Sequence, residues 1–141
     1  MSQAPDRVVV HVDGGARGNP GPAGIGVVVT DQHGSEVARA NAFIGVATNN
    51  EAEYRALLLG LKLASQLGAR EVEVVNDSQL VARQITGEYK VKKADLKPLH
   101  NQALAALRGF EGWQVRSVPR AQNELADGLV NEAIDARAPT T

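Results

Sequence analysis

Residues 11–26, HVDGGARGNPGPAGIG, follow the apolar run Val8, Val9, Val10 and carry glycine at positions 14, 15, 18, 21, 24 and 26. A glycine-rich stretch behind a β-run suggests a phosphate cradle. A nucleotide-binding loop, however, ends on Lys followed by Ser or Thr, and a dinucleotide fingerprint opens a helix with GxGxxG. Neither pattern occurs here. Instead a single carboxylate, Asp13, closes the apolar run, and Pro20 and Pro22 turn the chain into a second β-rich stretch, GIGVVVTD. The reading is an acid held at the end of a strand, with glycines beside it that admit something bulky.

Around this stretch the residue pattern predicts strands over about 7–12, 23–31 and 36–47, with QHG as the turn between the second and third. Short connections make them an antiparallel meander. TNNEAEYRALLLGLKLASQLGA then changes period: Ala52, Ala56, Leu59, Leu63 and Leu67 recur at helical steps, and Gly68 closes the helix. REVEVVN reads as a strand, DSQLVARQITG as a short helix stopped by Gly87, and the chain from Asp95 as a third helix. WQVRSV is a fifth strand and QNELADGLVNEAIDA a last helix, running into a loose tail. The order β-β-β-α-β-α-α-β-α predicts an α/β fold, a mixed sheet with helices on its faces, because strands separated by helices need crossover connections.

The 141 residues make one ordinary domain, with a core over about 7–135 and short loose termini, large enough to fold without staples. There is no cysteine, so disulfides, thiolate metal sites and a cysteine nucleophile are excluded, and any metal must be held by oxygen or imidazole. The N-terminus MSQAPDR lacks a basic and an apolar targeting region, and no apolar run approaches the ~18 residues of a membrane span. The expectation is a soluble, cytoplasmic protein. A net charge of −1 argues against a nucleic-acid partner, which a basic face would neutralise. Divalent cations held by clustered acids would change that balance, so net charge does not decide the matter.

Four acids have addresses at element ends, where distant parts of an α/β chain converge. Asp13 ends the first strand, Glu53 lies in the first turn of the long helix, Asp77 follows VEVVN, and Asp127 lies about one turn into the last helix. Singly, Glu53 and Asp77 are explained by capping and the helix dipole, and Asp127 by a solvated helix face. Asp13 is not, because a turn acid does not account for the glycines that follow it.

The stretches DGGARGNPGPAGIG, TNNEAEYRAL, NDSQLV and VPRAQNELAD resemble, in order and spacing, the active-site segments of type 1 ribonuclease H. The resemblance runs from about residue 7 to 135 and is to the compact bacterial, archaeal and plant-like branch without a basic protrusion. It implies a ribonuclease H-like fold, a five-stranded mixed sheet in order 3-2-1-4-5 flanked by helices, with the first three strands antiparallel. It implies an endoribonuclease that cuts the RNA strand of RNA/DNA hybrids with two Mg²⁺ ions, Mn²⁺ substituting, and leaves 5′-phosphate and 3′-hydroxyl ends. The family's metal carboxylates fall on Asp13, Glu53, Asp77 and Asp127. Glu53 is chosen over Glu51 because the family's spacing puts the acid three residues after the second Asn. Glu51, two positions away and about 200° around the helix, points elsewhere and reads as a solvated first-turn acid.

Hydrolysis of a phosphodiester in line needs an activated water on one side of phosphorus and a stabilised leaving oxygen on the other, which two hard divalent ions supply. By the resemblance, Asp13 bridges both ions, Glu53 and Asp77 complete the one on the leaving-group side, and Asp127 helps hold the one carrying the attacking water. Without metal the clustered acids should repel and titrate upward. The resemblance also implies that Asn19, Asn49, Asn50 and Gln79 meet sugar hydroxyls and base edges, and that Thr48 helps hold a DNA-strand phosphate. The glycine loop then reads a sugar through the shallow minor groove.

The chain departs from many relatives in one respect: the loop SVPRAQN has no histidine, and Arg120 stands there, able to pair with a phosphate but not to act as a neutral base. His11, His33 and His100 are assigned to structure or surface. Without a protrusion, Tyr89, Lys90, Lys92 and Lys93 are the candidate basic handle, which predicts weaker and more salt-sensitive hybrid binding. The expected partner is an RNA/DNA hybrid, with no membrane and no obligate protein partner, and the chain is expected to be monomeric. Two other readings stay open: a catalytically silent hybrid-binding module, and one part of a larger polypeptide.

Overall fold

A computed structural model describes residues 5–137; the predicted loose tail beyond them, and residues 1–4, lie outside the described residues. Ten elements follow in order: β1 (Arg7–Ala16), β2 (Gly21–Asp31), β3 (Glu36–Ala47), α1 (Asn49–Gln66), β4 (Glu71–Asn76), α2 (Gln79–Thr86), α3 (Lys97–Arg108), β5 (Gly112–Ser117), a 3-10 turn (Arg120–Gln122) and α4 (Glu124–Ala136). The sheet order is β3-β2-β1-β4-β5, with β1–β2 and β2–β3 antiparallel and β1–β4 and β4–β5 parallel. This is the topology expected from the sequence. Among the described residues no helix is long and apolar enough to cross a membrane.

β1 is longer than its sequence suggests. It runs through Asp13, Gly14 and Gly15 to Ala16, paired residue by residue with β2 as far as Ala16↔Ala23. Asp13 therefore lies inside a strand, not at its end. Cross-strand pairing overrides the low strand propensity of glycine.

Two helices need those missing side chains. On one face of β1 stand Val8, Val10 and Val12, fully buried under α1, where Gly60 lets the helix settle onto Val10 and Val12. On the same face Gly14 meets the backbone of Ala52 and Glu53; a Cβ there would fall 2.6 Å from the Glu53 nitrogen. The opposite face receives α4. Cβ atoms at Gly24 and Gly26 would lie 2.9 Å from the Val130 carbonyl oxygen and 2.5 Å from that of Ala126. What Gly14, Gly24 and Gly26 admit is thus the protein's own helices. Only Gly18, with φ +95°, serves the β1–β2 turn through left-handed backbone.

α1 begins with a reciprocal cap. The Thr48 hydroxyl accepts from the Glu51 N–H (3.2 Å) and the Glu51 carboxylate accepts from the Thr48 N–H (3.0 Å). Glu51 is therefore a half-buried capping acid and not the solvated one expected. The helix buries Tyr54, Leu57 and Leu61 along one stripe, and the Tyr54 hydroxyl donates to Gln84 Oε1 at 2.6 Å, joining α1 to α2 inside the core. His100 sits edge-on to that ring, its Nε2 3.0 Å from the Gln84 carbonyl.

Candidate active site

The site follows from the place where the sheet changes direction. β1 is antiparallel to β2 but parallel to β4, so the C-terminal ends of β1 and β4 lie side by side. Their paired register runs as far as His11 and Val75, and Asp13, two residues further along β1, and Asp77, immediately after β4, emerge at this end of the two strands. Glu53 arrives from α1 because the helix's first turn rests on Gly14, and its Oε1 accepts the Gly14 N–H at 2.7 Å. One oxygen each from Asp13, Glu53 and Asp77 then lies within 4.8 Å of the others.

Asp127 reaches the same cleft from α4 but stands outside that tight trio. Asn123 aims its helix: Nδ2 donates to the Val12 carbonyl at 2.9 Å, immediately before Asp13, and the Asp127 N–H donates to the Asn123 carbonyl at 3.1 Å. Arg120 Nη2 lies 3.1 Å from Asp127 Oδ1. The cleft, about 550 Å³, is also lined by Arg17, Asn49, Asn50 and Asn131. No histidine lines it among the described residues; His11, His33 and His100 all lie elsewhere.

The electrostatics are those of crowded, dehydrated acids. Burial, followed by the negative charges of Glu53 and Asp77 and by contact with Asp127, pushes the Asp13 carboxyl up to about 9. Burial also raises Glu53, against the opposing pull of the Gly14 N–H. Buried like charges at this spacing are sustainable only when protonated or when neutralised by a cation. An all-oxygen carboxylate set fits a hard divalent ion and gives no foothold to a thiophilic one.

The residues expected to meet substrate are more involved in the protein's own structure than their sequence suggests. Asn49 Oδ1 accepts from the Ala16 N–H (2.8 Å), and the Asn49 N–H donates to Asn19 Oδ1 (3.0 Å), so both side chains fasten the end of β1 to the start of α1. Thr48 caps α1 through a hydroxyl lone pair, leaving its proton free to donate. Asn50 is half-buried in the cleft wall, whereas Asn19 and Gln79 are exposed and lie outside its lining. The handle candidates Lys90, Lys92 and Lys93 are exposed in the segment between α2 and α3, and Tyr89 is held back there, its hydroxyl accepting from Arg83 at 2.8 Å.

Sequence reasoning missed three residues that shape the site: Gly14 as a packing contact, Asn123 as the anchor of α4, and Arg17 in the cleft wall. Only Asn123 had a legible signal, an Asn directly before a helical period. It forgoes the expected cap and holds β1 instead.

Comparison with known proteins agrees with this geometry. Residues 11–133 match the family described as reverse transcriptase-like. A bifunctional protein of Mycobacterium tuberculosis is 50% identical over 133 residues, which are 94% of this chain and 36% of that protein. The chain thus spans about a third of the length of the mycobacterial relatives it matches. Ribonuclease H of Methylococcus capsulatus is 32% identical over 149 aligned positions, covering 96% of this chain and 94% of its own. Among solved structures, RNase H1 of the halophilic archaeon Halobacterium salinarum superposes with a TM-score of 0.90 at 45% identity, over 92% of this chain and 98% of that one. LC11-RNase H1, solved in complex with an RNA/DNA hybrid, gives 0.87 at 44% identity, over 92% and 97%. With the strand order, the acids where β1 and β4 meet and these relatives in agreement, the chain belongs to the ribonuclease H family, in its compact type 1 form.

Proposed function

We propose that this chain is a metal-dependent endoribonuclease that hydrolyses the RNA strand of RNA/DNA hybrids, leaving 5′-phosphate and 3′-hydroxyl ends. The observation that carries the reading is the convergence of Asp13, Glu53 and Asp77 from three elements onto one point of an open cleft. The hybrid bound to LC11-RNase H1 supports the substrate. The cofactor this donor set fits is Mg²⁺, two ions per site with Mn²⁺ as substitute. Asp13, which neighbours the other three acids, would share them, with Glu53 and Asp77 on one side and Asp127 on the other. Bound there, the ions would activate a water for in-line attack and stabilise the leaving oxygen.

The chain's own residues position the substrate. Asn19, Asn49, Asn50 and Gln79 offer amides to sugar hydroxyls and base edges across the minor groove, without imposing a sequence. Thr48 would donate its hydroxyl proton to a phosphate of the DNA strand, and Arg120 would be free to meet a phosphate if Asp127 turned to hold an ion. All these residues come from one chain, so a monomer suffices.

Asp77→Asn tests the reading. Hybrid cleavage in Mg²⁺ should fall on the order of a thousandfold, while hybrid affinity stays near that of the wild type. Cleavage by both proteins at similar rates would place the chemistry elsewhere. Binding without cleavage by either would favour a silent binding module.

A further inference from the structure

Among the described residues that line the cleft, the cations are Arg17 and Arg120. Arg120 is occupied by Asp127 beside the acids. Arg17 stands at the other end, against the later turns of α4: Nη1 lies 2.6 Å from Asp135 Oδ1 and Nη2 3.4 Å from Asn131 Oδ1. Its backbone is fixed, since the Arg17 N–H donates to the Pro22 carbonyl (2.8 Å) and the preceding Ala16 N–H to Asn49 (2.8 Å). Its side chain is half exposed, and that of Asp135 is more exposed still. An exposed pair of this kind adds little to stability and is readily exchanged.

Asp135 lies eight residues beyond Asp127 on α4, about 12 Å along the helix. An RNA strand that runs along α4 with its scissile phosphate over the acids would bring a phosphate about two nucleotides from the cut within reach of Arg17. The guanidinium fork suits that anion better than it suits a single carboxylate oxygen. We infer that Arg17 grips this RNA-strand phosphate near the cut, exchanging Asp135 and Asn131 for it when the hybrid binds. The inference rests on the function proposed above.

The test is Arg17→Gln, assayed for hybrid cleavage in Mg²⁺ over a series of salt concentrations. KM should rise about tenfold at low salt, the loss of one charge-assisted contact, and the loss should fall on KM rather than kcat. The slope of log affinity against log salt should shrink by about one. Asp135→Asn should move KM the other way, because it frees the cation. A neutral methylphosphonate about two linkages from the cut in the RNA strand should weaken the wild type and leave Arg17→Gln unaffected. A lower thermal midpoint for Arg17→Gln with KM and salt slope unchanged would make the pair a structural tie and overturn the inference. Fluorescence anisotropy with the same hybrid reads the contact without cleavage, so an inactive wild type would count against the nuclease reading while Arg17→Gln still decided this one.

Discussion

Asp13→Asn is expected to lower hybrid cleavage by on the order of a thousandfold and, in metal-free buffer near pH 8, to raise the thermal midpoint by about 5 °C. The two changes have one cause. Asp13 is 3% exposed, and burial together with the charges of Glu53 and Asp77 lifts its carboxyl to about 9. The folded protein therefore holds a proton that the unfolded chain releases above about pH 4, so wild-type stability declines as pH rises from there toward the raised value. Asn carries no such charge, and the advantage of the variant should vanish near pH 4. Melting curves in EDTA at several pH values check this. A variant less stable than wild type at pH 8 would mean that the fold satisfies the Asp13 carboxylate without a cation.

Gly14→Ala is expected to cost about 3 kcal/mol, a fall of about 10 °C in thermal midpoint, and to impair cleavage as well. The added methyl group would meet the Ala52 carbonyl group and the Glu53 nitrogen, which are backbone and cannot swing aside. Relief requires α1 to back away from β1, which stretches the Gly14–Glu53 hydrogen bond and removes one acid from the cluster. Gly128→Ala is the contrasting case: it lies inside α4 with nothing near its Cβ, and should stabilise by about 0.5–1 kcal/mol. Equal midpoints for Gly14→Ala and wild type would show that the contact between α1 and β1 is looser than described.

The strand and helix order was legible because β2 carries an unbroken apolar run between turn residues and apolar residues recur at helical steps in α1 and α4, and the limits of β3 agree at both ends. The extent of β1 was not. DGGA reads as a loop because a glycine's part in a strand depends on what packs over it, here Ala52 and Val130 from distant segments. The acids were legible as addresses, and their convergence depends on the parallel pairing of β1 with β4 and on the seating of α1 on Gly14, which no local pattern encodes. The double duty of Thr48 and Asn49 was likewise hidden, since a capping or bridging amide and a substrate-facing one have the same sequence signature.

The most direct measurement is cleavage of one labelled RNA presented as a hybrid with DNA, as a single strand and as an all-RNA duplex, each with Mg²⁺, Mn²⁺ or EDTA. Metal-dependent cutting of the RNA strand of the hybrid is expected, with the other two substrates and the EDTA reactions left intact. Cutting that persists in EDTA, or folded protein that leaves the hybrid whole in both metals, would contradict the nuclease reading.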